Sequence, residues 1–413
     1  MSELVVYGAP WCPDCRRSKK FLAEHRVPFR WVDIDEDPEA LAYVERVQNG
    51  GRTIPMIELP EGGRLFEPGD DELARAMGLR LAAERHVYDL VIVGGGPAGL
   101  AAAIYAAREG IETLVVDKAG LGGQAGVTDR IDNYPGFPDG VLGAELADRF
   151  IAQARRYGVE LLAAVEVTGV ERDDPGGPGT GASDVEGGAL RVSLGNGQQV
   201  GAYAVLLAPG SSYRRLGIPG EEELIGSGVH FCATCDGPFY RGTRELLVVG
   251  GGNSALEEGL FLTQFAQHVR LVVRGEVTAS RLLRDKVTHH PGMTVHTQSI
   301  VESFAGSGGR LTEVVVRTPD GPQRFHPSGA FIFIGLDPNT GWLGDTVDRD
   351  PWGFIRTDGT FATSLPGVFA AGDARAGATK QLGSAVGDGI AALLGIRSYL
   401  QAHSDLRRLD VNS

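Results

Sequence analysis

Cysteine is scarce, four residues in 413. A chain this long with so few cysteines does not rest on the disulfide framework that small secreted domains need. Basic runs are absent and the formal net charge is −14. That excludes the positive footprint by which proteins hold nucleic acid or an anionic membrane. No apolar run is long enough to span a bilayer without interruption. The longest candidate, Leu90 to Ala107, is broken by Gly94, Gly95, Gly96, Pro97 and Gly99, the punctuation of a strand, a tight turn and a helix. A secretory pattern is missing too: Leu4-Val5-Val6-Tyr7 ends at once in Gly8-Ala9-Pro10. A cytoplasmic location is expected.

What is present belongs to a globular protein, 42% hydrophobic and 22% charged. The length implies two or three domains. All four cysteines fall in Cys-x-x-Cys pairs, Cys12/Cys15 and Cys232/Cys235. Such pairs are redox centres or zinc ligands in a reducing compartment. Zinc modules join their pairs by a short loop, and here most of the chain lies between them, so redox chemistry is expected and no metal.

Residues 1 to about 80 read as a small α/β unit. A strand (Leu4–Tyr7) leads through Cys12 to a helix near Arg16–Glu24, and a strand follows at Phe29–Ile34. Asp35-Glu36-Asp37-Pro38 marks a helix start. Thr53-Ile54-Pro55-Met56-Ile57 opens another strand, and a helix over Asp70–Met77 closes the unit. The polar stretch Gly78 to His86 reads as a flexible tether, which would hold this unit at ~mM effective concentration. Strands and helices then alternate, implying a parallel sheet. The stretches 173–188 and 305–309 are Gly-rich insertions, read as hairpin loops.

The strand-glycine-helix device occurs twice. Asp89-Leu-Val-Ile-Val93 runs into Gly94-Gly95-Gly96-Pro97-Ala98-Gly99. Gly94 permits the turn, Gly96 lets the backbone approach a pyrophosphate, and Gly99 packs helix on strand. The next strand ends at Asp117, placed for a ribose hydroxyl. Leu246-Leu-Val-Val249 likewise leads into Gly250-Gly251-Gly252-Asn253-Ser254-Ala255. Here the following strand ends at Arg274, either a ligand for a 2′-phosphate or one more solvated arginine, with Glu276 nearby. Near the C-terminus, Gly367-Val-Phe-Ala-Ala-Gly372-Asp373 ends in an acid that can hold ribityl hydroxyls or cap a helix.

With these motifs together, residues 88–403 resemble the bacterial low-molecular-weight thioredoxin reductases. Further shared marks are Gly122-Gly123-Gln124, Asn133-Tyr134-Pro135-Gly136, Cys232-Ala-Thr-Cys235-Asp236-Gly237, Glu257-Glu258 and Lys380-Gln381. Residues 1–80 resemble glutaredoxins, mycoredoxins especially, on Trp11-Cys12-Pro13-Asp14-Cys15, Asn49-Gly50-Gly51, Thr53-Ile54-Pro55 and Phe66-Glu67-Pro68. The resemblance implies an α/β chain with an N-terminal thioredoxin fold (1–80), a linker (81–87) and two Rossmann-like domains, the second inserted in the first. An FAD domain would span 88–211 and 334–403, an NADPH domain with the redox disulfide 212–333, and a polar tail 404–413. FAD contacts would come from Gly94, Gly96, Pro97, Ala98, Gly99, Asp117, Gly123, Gln124, Asn133, Gly372, Asp373, Lys380 and Gln381. NADPH contacts would come from Gly250, Gly252, Asn253, Ser254, Ala255 and Arg274. Two departures stand out: Ala279 occupies a place where the family carries a further arginine, with Arg281 a possible substitute, and Lys380 replaces an arginine.

By the family pattern, electrons pass from NADPH to FAD to Cys232/Cys235, with Cys235 nearer the flavin and Asp236 protonating the leaving sulfur; Asp236 is alternatively a turn residue. The nicotinamide and the cysteine pair share one domain, so it must rotate about hinges near Gly210-Ser211 and Gly335. Cys12, at a helix start whose dipole favours a thiolate, would then receive electrons with Cys15 resolving, and Pro55 would face the disulfide. The expected acceptor is a thioredoxin- or glutaredoxin-like protein or a mixed disulfide of a low-molecular-weight thiol, and the expected assembly a homodimer. Two other readings are a flavoprotein of the alkyl-hydroperoxide-reductase kind serving a peroxiredoxin, and a flavin-binding redox sensor.

Overall fold

The computed structural model describes residues 3–128, 130, 131, 133–172, 190–307 and 310–403, apart from the side chains of Thr234 and Cys235. Among these the chain falls into two units. One runs to Val127, resumes over Gly143–Gly210 and returns from Pro338; the other takes Thr128–Leu142 and Ser211–Asp337.

The first unit begins with a thioredoxin-like layer. β1 (Leu4–Gly8) is followed by α1 (Pro13–Glu24), β2 (Phe29–Asp33), α2 (Pro38–Val47), β3 (Met56–Glu58), β4 (Arg64–Phe66) and α3 (Asp70–Ala76). The sheet order is β2-β1-β3-β4, with β1 parallel to β2 and antiparallel to β3. α1 starts three residues before the reading from sequence, because Cys12 caps it and Pro13 fixes its first turn. Asp37 caps α2 through two N–H bonds and Pro38 stands at its first position, as the acidic-proline pattern foretold. Leu4, Val6, Leu22, Ile57 and Leu73 form the core.

β5 (Val87–Val93), α4 (Pro97–Arg108) and β6 (Thr113–Val116) carry the first glycine motif. β5 lies between β6 and the strand Gln199–Leu207, parallel to both. A strand buried on both faces reads as an unbroken apolar run, and Leu90, Val91 and Ile92 are fully buried. Val368–Ala370 joins the same sheet beside Gln199–Leu207. Val167–Arg172 and Leu190–Leu194 pair antiparallel, while the insertion 173–188 between them lies outside the described residues.

The second unit contains a five-stranded parallel sheet. Its order is Val229–His230, Gly329–Ile332, Thr243–Val249, Ala266–Val272 and Met293–His296. A three-stranded antiparallel sheet accompanies it, Ile300–Ser307, Arg310–Thr318 and Gly321–Phe325. Residues 305–307 are strand and not loop, and 308 and 309 lie outside the described residues.

The segment read as a flexible tether is strapped down. Asn196 Nδ2 donates to the Leu81 carbonyl at 2.6 Å, and Gln198 pairs with both the N–H and the carbonyl of Ala83 at 2.8 and 3.0 Å. Glu160 accepts from the Glu84 N–H at 2.8 Å. Leu81 packs against the apolar clusters on either side of it. It is the backbone of this segment that Asn196, Gln198 and Glu160 hold, at sequence separations that local sequence cannot reveal.

Candidate functional site

In the thioredoxin-like layer, Cys12 and Cys15 are free thiols, both buried. Cys12 caps α1, and the Cys15 N–H donates to its sulfur at 3.2 Å. Burial, followed by the hydrogen bond with Cys12, pushes the Cys15 thiol up to about 12. Cys15 therefore stays protonated while Cys12 faces the loop, its sulfur 3.7 Å from the Ile54 carbonyl oxygen. The Ile54–Pro55 peptide is cis. Trp11 stands exposed beside the pair, its ring N–H donating to Asp35 at 2.7 Å.

Three segments converge on the first glycine motif. A Cβ on Gly94 would lie 2.1 Å from the Ala208 carbonyl oxygen, and one on Gly99 2.0 Å from that of Gly94. These two glycines close the turn and the helix-strand contact. Gly96 is different: a Cβ there would meet nothing nearer than the Gly123 Cα at 3.9 Å. The Gly122 N–H donates to the Gly95 carbonyl at 2.8 Å, which holds the 122–124 loop against the turn. A Cβ on Gly372 would come within 3.0 Å of the Ala98 Cβ, so the Gly372-Asp373 corner reaches the same helix end. Gly96, Pro97, Ala98, Gly123 and Gly372 thus gather at the N-terminus of α4, with open space at Gly96, while Gly94 and Gly99 are closed by backbone contacts beside them. A helix N-terminus that a glycine leaves open to close approach is where a pyrophosphate binds, so these residues fit an FAD. Gln124 lies in the helical turn Gly123–Gly126. Asn133 belongs to the other unit.

Asp117 turns back on the glycine turn. Its carboxylate accepts from the Gly95 N–H at 2.6 Å and from the Ala119 N–H at 2.8 Å. Burial pushes this carboxyl up, against the pull of those two bonds. Burial likewise pushes Asp373 up, with Lys380 opposing, and pushes Lys380 down. Lys380 lies over the Phe354 ring, and Gln381 caps the helix Leu382–Ala402.

The second motif repeats the device. A Cβ on Gly250 would lie 2.3 Å from the Phe333 carbonyl oxygen, whereas one on Gly252 would have nothing within 4 Å. Asn253, Ser254 and Ala255 open the helix Asn253–Leu262. Asn253 accepts from the Ser280 N–H at 2.8 Å and pins the facing loop. Arg274 is exposed on that loop, and Glu276 is turned towards Gln298 at 3.4 Å. Arg281 is almost fully exposed beside Asp285; Ala279 is buried.

Cys232 is disulfide-bonded, and the side chain of Cys235 lies outside the described residues. The Asp236 N–H closes a helical turn on the Cys232 carbonyl at 3.1 Å. Two residues missed from sequence complete this corner. His230, buried, places Nδ1 3.4 Å from the Asp236 carboxylate and Nε2 2.6 Å from the Tyr240 hydroxyl. Burial, then the Asp236 charge, pushes the Tyr240 phenol up to about 12. The only available signal was a histidine two residues before Cys232. No described helix is long and apolar enough to cross a membrane.

Residues 88–389 match the pyridine nucleotide-disulphide oxidoreductase family and residues 4–62 the glutaredoxin family. A thioredoxin reductase of Listeria monocytogenes is 37% identical over 78% of this chain and 96% of its own. A bifunctional thioredoxin reductase/thioredoxin of Mycobacterium leprae is 38% identical over 78% of this chain and 68% of its own. The crystal structure of a thioredoxin reductase from Streptococcus pyogenes superposes with a TM-score of 0.69 at 35% identity, covering 77% of this chain and 99% of the other. The chain belongs to the pyridine nucleotide-disulphide oxidoreductases, as an oxidoreductase of the thioredoxin reductase type with an N-terminal glutaredoxin domain.

Proposed function

We propose that this chain is an NADPH-dependent disulfide reductase that relays electrons through Cys232/Cys235 to its own Cys12/Cys15 pair and on to an external disulfide. The proposed domains are a glutaredoxin-like domain (1–80), a linker (81–87), an FAD domain (88–211 and 334–403) and an NADPH domain (212–333). FAD, when bound, supplies two-electron chemistry between a nicotinamide and a disulfide. Its pyrophosphate would be held by the turn Gly94–Gly99 with Gly123 and Gln124, its ribityl chain by Asp373, and its ring by Lys380 and Gln381. NADPH would be held by Gly250–Ala255, with Arg274 for the 2′-phosphate.

Reduction of the Cys232–Cys235 disulfide breaks one S–S bond, takes up two electrons and two protons, and leaves two thiols. Asp236, steadied by His230, delivers a proton to the leaving sulfur. A thiolate of this pair then attacks an oxidised Cys12–Cys15 disulfide, forms a mixed disulfide and expels one sulfur. Its partner cysteine closes the original disulfide again and leaves Cys12 and Cys15 reduced. Cys12 next attacks the external disulfide, and Cys15, a thiol until then, resolves the mixed species. The nicotinamide site and Cys232 share one unit, so by this reading they take turns at the flavin through backbone change at Gly210 and Gly335.

The observation that carries this reading is a disulfide at Cys232, beside Asp236, on the unit holding the second glycine cradle. The first cradle and the Cys12/Cys15 dithiol lie together on the other unit. A homodimer, and an acceptor that is thioredoxin-like or a mixed disulfide of a small thiol, complete the proposal. Cys12→Ser tests it: the variant should still reduce a separate thioredoxin under NADPH yet lose turnover of mixed disulfides. Unchanged mixed-disulfide turnover would overturn the relay.

A further inference from the structure

The helix that starts at Cys12 ends beside the loop assigned above to FAD. Arg26 follows the end of α1 in a left-handed conformation, φ 54°, and its side chain leaves the thioredoxin-like layer. Nη1 donates to the Leu121 carbonyl at 2.5 Å, and Nη2 pairs with Asp148 at 2.9 Å. The guanidinium fills a notch between two glycines of the loop. A Cβ on Gly122 would lie 3.1 Å from Nη1, and one on Gly126 2.7 Å from it. The side chain is only 19% exposed, a low figure for an arginine at a junction. The same loop donates from Gly122 to Gly95 and sets Gly123 against Gly96. Close backbone contact surrounds this clamp, because a Cβ on Gly120 would fall 1.7 Å from the Glu24 carbonyl oxygen. Ala164 packs against the thioredoxin-like core from the other side of the junction.

We propose that Arg26 is a positioning residue for the flavin site, so that the glutaredoxin-like domain is a built-in brace of the 121–126 loop and not a tethered passenger. This rests on the assignment of FAD to that loop. A planar, permanently charged fork can satisfy a carbonyl and a carboxylate at once. Removing it leaves the Leu121 carbonyl without its donor and opens a notch beside the loop. Coupling of this kind is reciprocal: if docking favours FAD, FAD must favour docking by the same factor.

The test uses the full chain loaded with FAD, in three variants: Arg26→Ala, Gly126→Ala, and both together. Gly126→Ala keeps the arginine but denies it the notch, so it serves where loss of Arg26 harms folding. The readouts are the rate of FAD release, followed by flavin fluorescence, and trypsin cleavage after Arg80 and Arg85 in the strapped connection. Either single variant should release FAD on the order of tenfold faster, the loss of one charged hydrogen bond, and be cut faster. Adding FAD to the apoprotein should slow the cutting of the native chain and not of Arg26→Ala. The double variant should be no worse than Arg26→Ala, since both changes remove one interaction. Equal release rates for native chain and both single variants, or additive effects in the double variant, would overturn the brace while leaving FAD binding intact. A native chain that cannot be loaded with FAD would instead overturn the function proposed above.

Discussion

Two glycines three residues apart should fail in different ways when each gains one methyl group. Gly96 caps α4 with φ −77°, ψ −175°, a backbone open to any residue. Its added Cβ would touch nothing nearer than 3.9 Å. Gly96→Ala should therefore leave the apoprotein's stability within about 0.5 kcal/mol, as for a harmless surface change. The methyl group does, however, occupy the approach of a pyrophosphate oxygen to the helix N–H groups. Losing one or two charged hydrogen bonds there, about 1.5–3 kcal/mol each, corresponds to a weakening of FAD binding by ~10-fold or more. Gly99→Ala places its Cβ 2.0 Å from the Gly94 carbonyl oxygen. Backbone or helix must retreat by roughly an ångström, at about 1–3 kcal/mol for overpacking, which lowers Tm by about 2–10 °C for a domain of this size. The assays are thermal unfolding of apoprotein, and FAD titration followed by flavin fluorescence. If Gly96→Ala bound FAD like the native chain, or lost as much stability as Gly99→Ala, the assignment of the open space to a phosphate would be wrong.

Other perturbations separate the remaining centres. Burial is the largest cause of the raised Cys15 thiol and survives the loss of Cys12, so a Cys12→Ser variant should still alkylate Cys15 slowly at pH 8 and faster at higher pH; rapid labelling at pH 8 would refute it. Burial, then the neighbouring Arg26, holds His25 below its ordinary 6.5. The unfolded chain binds that proton first, so stability is complete above pH 6.5 and falls as the pH drops below it; His25→Gln should flatten the acid limb of a pH–Tm curve. Gly252→Ala has nothing within 4 Å of its Cβ, and should raise the KM for NADPH severalfold with FAD retention unchanged. Arg274→Ala should raise the KM for NADPH on the order of tenfold and leave that for NADH alone; an equal effect on both would make Arg274 a surface residue.

What one local stretch dictates about backbone form was legible in the sequence. The strand-turn-helix form of 94–99 and 250–255 follows from the backbone alone, and so does the cap-and-proline start of α2. Asp117 was legible as the acid at a strand end, but not as an acceptor for the Gly95 N–H, because that bond depends on how the following loop folds back. His230 and Tyr240 escaped because each is ordinary in its own strand or turn; the helical turns over 233–240 fold Asp236 and Tyr240 back onto His230. Arg26 is the extreme case. Nothing around it marks it, and its partners Leu121 and Asp148 lie 95 and 122 residues away along the chain.

The strapped connection changes where motion has to come from. A tether would let the Cys12/Cys15 domain swing, and effective concentration would then set the rate of electron delivery. With Leu81 and Ala83 bound by Asn196 and Gln198, and Arg26 seated in the 121–126 loop, that domain belongs to the unit with the first glycine cradle. Cys232 belongs to the other. On the proposed relay, exchange between the two pairs therefore calls on the chain crossings between the units, among them Gly210–Ser211 and Asp337–Pro338, as the proposed turn-taking at the flavin does. Gly210 stands at one crossing and Gly335 two residues before another, at positive φ of 69° and 110°, where a side chain would be strained. On that reading one set of hinges serves both electron transfers, and stiffening it at Gly210 or Gly335 should slow FAD-linked reduction of Cys232 and delivery to Cys12 together. Lengthening residues 79–86 should leave both unchanged as long as Arg26 holds.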